Sequence, residues 1–144
     1  MTHGIDETRA AALLDAARAA AERAYAPYSG FPVGAAVLTD DGTVFAGCNV
    51  ENASYGLTVC AERVAVWAAA AAGHRTVRAV AVVAPKAAGV TPCGACRQVL
   101  NEFAPPDAEL VVVLEGPDGP EQVPLSALLP RSFGPSDVGT RDKG

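Results

Sequence analysis

AELVVVLEG, PDG and EQVPL follow one another from Ala108 to Leu125. The first piece is an apolar, β-branched run of the kind found in strands buried on both faces. The second is a turn signal, and the third reads as a short fifth strand. Only a few residues separate the two strands, near 109–114 and 120–123. A parallel pair needs a crossover of roughly a dozen residues or more. The last two strands are therefore expected to be antiparallel.

Working outward, VRAVAVVA, residues 77–84, is a second apolar run of the buried kind. VGAAVLTDDGTVFAGCNV, residues 33–50, reads as a hairpin turning at Asp41-Gly42. Between these strands lie three helical patterns. The first covers about 6–25 with Asp6 as cap and Leu13, Leu14 and Ala17 near one face. The second covers about 60–72 and stops at Gly73; the third covers about 93–103 and ends before Pro105-Pro106. LSALLP makes a last helical turn. APYSGFP, ENASYGL and PKAAGVTP read as loops or irregular segments, and about 135–144 as a loose tail. Helices alternating with buried strands predict an α/β domain with helices on both faces of one mixed, five-stranded sheet. Without repeats or an internal linker, 1–144 reads as a single domain.

Half of the 144 residues are hydrophobic and the net charge is −5. The acidic balance, with no run of Lys or Arg, gives no footprint for long nucleic acid. The N-terminal segment carries charges throughout, unlike a signal peptide. VWAAAAAG, residues 66–73, is far too short to span a membrane. It reads instead as a close helix-packing face, with Trp67 in the core or at a subunit interface. The expected location is the cytoplasm, where thiols stay reduced. Four cysteines there point to metal or catalysis more than to disulfides.

Cys60, Cys93 and Cys96 fall at the expected starts of the second and third helices. The helix dipole and free N–H groups at such ends favour thiolate, the form that binds zinc. Cys93-x-x-Cys96 lets two sulfurs reach one ion from a single turn, and Cys60 supplies a third. Catalytic zinc sites keep the fourth position for water, and Glu62 is near enough to touch it. Taken alone, Cys-x-x-Cys is equally compatible with a redox pair or half of a structural zinc site. Cys48 is the thiol that would complete a four-thiolate site; it reads as a small buried residue of the second strand. His3 and His74 lie in a terminus and a loop, so a histidine ligand is not expected.

Cys60-Ala61-Glu62 and Pro92-Cys93-Gly94-Ala95-Cys96 resemble the signature of zinc-dependent deaminases of nucleosides and nucleobases. With AYAPYSGFPVGAA, GCNVENASYG, CAERVAV, PCGACRQVL and LLPRSF in that order, the chain is most similar to the small cytidine deaminase family. Each piece is weak alone, and the ordered set covers most of the chain.

The resemblance implies a three-layer α/β/α cytidine-deaminase-like fold and one Zn²⁺ per chain on Cys60, Cys93 and Cys96. It implies hydrolytic deamination of cytidine and 2′-deoxycytidine in pyrimidine salvage, with Glu62 as the proton shuttle. Arg63 is implied to hydrogen-bond ligand sulfurs. Three thiolates on one divalent ion leave a formal −1, which an arginine offsets. Asn49 and Glu51 match a pair that binds the ribose 3′-hydroxyl, and Phe31 an aromatic beside base and sugar. Ala61 would offer backbone atoms to the base, and Tyr55 would line the site. Phe133 matches an aromatic that reaches a neighbouring subunit's site in a homotetramer. The partners implied are a nucleoside and copies of the same chain, with no nucleic acid and no membrane. A deaminase of a modified pyrimidine or nucleoside antibiotic stays open, as does, more remotely, a structural zinc protein using all four cysteines.

Overall fold

The computed structural model describes residues 4–139. His3, and residues 140–144 of the expected tail, lie outside the described residues. The elements are α1 (Glu7–Ala21), β1 (Gly34–Thr39), β2 (Val44–Cys48), α2 (Ala61–Ala71), β3 (Val77–Val83), α3 (Gly94–Glu102), β4 (Val111–Gly116), β5 (Gly119–Pro124) and α4 (Leu125–Leu128). The strands form one sheet in the order β2-β1-β3-β4-β5. β1 pairs antiparallel with both β2 and β3, and β3 pairs parallel with β4 across the α3 connection. The β4–β5 pair is antiparallel, as its short connection requires.

The period-2 alternation of the strands separates two cores. Ala36, Leu38, Ala79, Ala81, Val111 and Val113 face α1, which answers with Ala10, Leu13, Leu14 and Ala17. Their neighbours Ala35, Val37, Val80, Val82 and Val112 face the other way, against Ala61, Ala65, Val66 and Ala69 of α2 and Leu100 of α3. Burying each such Val or Leu is worth about 1.5–3 kcal/mol. With both faces covered, the middle strands have no room for polar alternation, hence the continuous apolar runs.

Two glycines set how low the helices sit. A Cβ on Gly34 would lie 1.9 Å from the Ala17 carbonyl oxygen, and one on Gly47 would lie 2.6 Å from the Ala65 nitrogen. Only a bare α-carbon lets α1 rest on β1 and α2 on β2 at this distance.

Some boundaries differ from the sequence expectations. α1 is capped by Asp6, whose carboxylate accepts from Arg9 N, but ends at Ala21 instead of running to 25. Tyr25 instead exchanges backbone bonds with Asn49 and Glu51, which takes it out of the helix. The hairpin turns through three residues. Gly42 N donates to Thr39 O, Thr39 N donates to Thr43 O, and Gly42 alone has positive φ, at 90°. This is a type I turn with a bulge at Gly42, not a two-residue primed turn at Asp41-Gly42. Asp41 fastens it by accepting from Thr39 Oγ1, Thr43 N and Thr43 Oγ1, and these bonds hold its carboxyl down at about 2. Pro135–Val138 form a 3₁₀ turn at the start of the segment read as a loose tail. Trp67 is largely exposed and so is no core residue. His74, read as a loop residue, is half-buried, with its ring 5.2 Å from that of Phe45.

Candidate active site

Cys60 is the N-cap of α2 and Cys93 the N-cap of α3, so both thiols stand where helix N–H groups are free. Cys96 follows one turn into α3 and is fully buried. The two helices lie side by side on one face of the sheet, and their starts bring the sulfurs together. Cys60 Sγ and Cys93 Sγ are 3.8 Å apart, Cys93 Sγ and Cys96 Sγ 3.4 Å, and all three lie within 4.8 Å of one another. A tetrahedral zinc with Zn–S bonds of about 2.3 Å holds its sulfurs about 3.8 Å apart. Donor type, number and spacing therefore fit a zinc ion. Cys48 is not in the cluster; it is half-buried at the end of β2, with Sγ 3.5 Å from the Arg23 carbonyl.

Electrostatics around the sulfurs agree with that chemistry. The Cys96 thiol beside it holds Cys60 down at about 5, helped by Arg63, whose Nη2 donates to Cys60 Sγ at 3.2 Å. The same contact pushes Cys96 upward, and burial adds to it. Arg63 Nε is buried with no hydrogen-bond partner among the described residues. The cation thus stands next to the sulfurs, where a cluster of thiolates needs positive charge. Glu62, at the first turn of α2, is 4% exposed. Burial pushes its carboxyl up to about 7, and the nearby Cys60 adds to the rise.

Part of this group borders a cavity of about 270 Å³. Cys60, Ala61, Glu62 and Cys93 line it, together with Phe31, Asn49 and Glu51. What brings the distant Asn49–Glu51 segment here is a pair of isolated bridges. Val50 pairs with Val59 just before Cys60, and with Tyr25 just before the Ala26–Pro32 loop. Asn49 then anchors that loop. Its Nδ2 donates to Phe31 O at 3.0 Å and its Oδ1 accepts from Val33 N at 2.9 Å. Glu51 accepts from Tyr28 N, Ser29 N and Ser29 Oγ.

Tyr55, expected to line the site, and Phe133, expected in a neighbour's site, lie outside their own chain's cavity. Tyr55 is 73% exposed and packs edge-on against Tyr28, outside the cavity of its own chain. Phe133 is 61% exposed, and its carbonyl oxygen accepts from Gln98 Nε2 and Asn101 Nδ2 of α3. Sequence reasoning missed Ser29, Val33, Thr58, Val90 and Thr91, which also line the cavity. Ser29 and Val33 belong to the AYAPYSGFPVGAA segment, where the resemblance drew notice only to Phe31.

Comparison with known proteins agrees with this geometry. Residues 7–114 match the family model of the cytidine and deoxycytidylate deaminase zinc-binding region. The chain is 50% identical over 127 residues to a cytidine deaminase of Halalkalibacterium halodurans, covering 88% of this chain and 95% of the relative. It is 46% identical over 127 residues to one of Sporosarcina psychrophila, covering 88% and 92%. The crystal structure of cytidine deaminase from Burkholderia pseudomallei superposes with a TM-score of 0.77 at 53% identity, covering 85% of this chain and 97% of that one. The matched region holds the three clustered thiols, the buried carboxyl and the arginine that donates to Cys60, and the chain belongs to the cytidine deaminase family.

Proposed function

We propose that this protein deaminates cytidine and 2′-deoxycytidine hydrolytically, giving uridine or 2′-deoxyuridine and ammonia, as a step of pyrimidine salvage in the cytoplasm. The observation that carries the reading is the convergence of three thiols within 4.8 Å, two of which, Cys60 and Cys93, line a single cavity together with a carboxyl only 4% exposed. One zinc per chain, held by Cys60, Cys93 and Cys96, supplies Lewis-acid activation of the attacking water when bound. Arg63 offsets the excess negative charge of the sulfurs.

Glu62 moves the protons. It accepts one from the attacking water and delivers it to ring N3, then takes the second from the hydroxyl now on C4 and passes it to the 4-amino nitrogen, which leaves as ammonia while the C4 oxygen becomes the carbonyl of the product. A buried carboxyl poised near neutrality suits both directions of transfer, and such a step contributes roughly 10²–10⁴-fold. Phe31 stands beside the base and sugar, and the Ala61 backbone offers hydrogen bonds to the base. Asn49 and Glu51 take the ribose 3′-hydroxyl. Their hydrogen bonds to the loop leave Asn49 one free N–H and Glu51 one free acceptor position, which together match a single hydroxyl. Tyr55 and Phe133 lie outside their own chain's cavity, and we assign them to a homotetramer in which Phe133 enters a neighbour's site. The exposed ring on a backbone held by Gln98 and Asn101 supports that assignment.

The test is absorbance at the cytosine band with purified protein. Cytidine and 2′-deoxycytidine are expected to be converted. Free cytosine is expected to be a poor substrate, because it forfeits the sugar's binding energy at the reacting ring. Cytosine turned over as well as cytidine would overturn the assigned sugar contacts.

A further inference from the structure

Glu51 is a surface carboxylate that does not hold itself in place. Three donors fix it, and all come from the dipeptide Tyr28-Ser29. The two backbone N–H groups, at 2.9 and 3.0 Å, occupy Oε1. The Ser29 hydroxyl alone fixes Oε2. The same hydroxyl oxygen accepts from Phe31 N at 3.0 Å. Ser29, Phe31 and Glu51 all line the cavity. One hydroxyl thus joins the carboxylate to the backbone of the aromatic.

The loop is set up for this arrangement. Gly30 takes φ 65°, which turns the chain between Ser29 and Phe31. Lys86 Nζ donates to the Gly30 carbonyl at 2.6 Å, from the segment that continues to Val90 and Thr91, which also line the cavity. An ionised carboxylate has about four lone-pair positions. Three are taken, so one remains, on the oxygen that Ser29 holds. Because its hydrogen is committed to Glu51, Ser29 does not itself donate to a ligand.

We propose that Ser29 is a positioning residue for sugar recognition, aiming the last free acceptor position of Glu51 at the 3′-hydroxyl. The proposal rests on the reading that Glu51 accepts from that hydroxyl. The Ser29 hydrogen bond also keeps the Glu51 carboxyl below its ordinary range, and so ionised and able only to accept. Removing the hydroxyl opens a second lone pair on Oε2, frees the carboxylate to rotate, and admits water.

The experiment compares kcat/KM for cytidine and 3′-deoxycytidine in the wild type, Ser29→Ala, Ser29→Thr, Glu51→Ala and the Ser29→Ala/Glu51→Ala double variant. Ser29→Ala is expected to lose about three- to tenfold on cytidine, the scale of one hydrogen bond, and less than twofold on 3′-deoxycytidine. Ser29→Thr keeps the hydroxyl and is expected to restore the preference. In the double variant, the serine change should add nothing to the loss from Glu51→Ala. Equal losses on both substrates, or full additivity in the double variant, would reduce Ser29 to a structural loop residue and overturn the proposal. If Glu51→Ala leaves the preference for cytidine intact, the sugar reading of Glu51 fails first and the role of Ser29 falls with it.

Discussion

Cys48 and Cys60 meet different surroundings. Cys60 caps α2, faces two other sulfurs and receives a guanidinium N–H. Cys48 ends β2 with its thiol against a main-chain carbonyl. Cys48→Ala is therefore expected to retain about one zinc per chain by metal analysis, and a large loss of metal would revive a four-thiolate site. The cysteines were legible in the sequence because thiols at helix starts, at this spacing, have few uses. Phe31, Asn49 and Glu51 were legible only through resemblance, since an aromatic, an amide and a carboxylate in loops carry no chemistry of their own. The structure gives the physical reason for their proximity, the bridges of Val50 to Tyr25 and Val59. Ser29 and Thr91 stayed hidden because a loop hydroxyl acquires its role only from the partner folded against it.

Among the elements, α2 depends on Gly47. The Ala65 nitrogen and the Ala61 carbonyl oxygen lie 2.6 and 2.9 Å from where a Cβ would stand, and both are backbone atoms of the helix that starts at the metal cluster. Backbone cannot step aside as a flexible side chain does. Gly47→Ala is expected to destabilise the protein by about 1–3 kcal/mol, read as a lower urea midpoint. An unchanged midpoint would mean that the helix has room to lift off the sheet. Strand runs, helix patterns and the antiparallel β4–β5 pair were all readable, because burial on both faces leaves unbroken apolar runs and a short connection forbids a crossover. The hairpin loop was not, since Asp-Gly serves a primed turn and a bulged type I turn alike. Nor was the early end of α1, where the bonds of Tyr25 to Asn49 and Glu51 override local helix propensity.

At the scale of the whole molecule, Tyr55, Leu57, Trp67 and Phe133 leave large apolar side chains exposed on one chain. No helix among the described residues is long and apolar enough to cross a membrane. If Phe133 completes a neighbour's cavity, co-refolding the two impaired variants Glu62→Gln and Phe133→Ala should return part of the activity. Some sites in the mixed assembly then combine an intact Glu62 with a native Phe133 from next door. Mixed assemblies with no recovery would confine Phe133 to its own chain. The thiols proposed to hold zinc and the carboxyl proposed to carry protons stand close together but are given different tasks. Zinc content and cytidine turnover, measured on one preparation of Glu62→Gln, separate them most directly. The expected result is about one zinc per chain with turnover lowered by roughly 10²–10⁴-fold; turnover near that of the wild type would contradict the role given to Glu62.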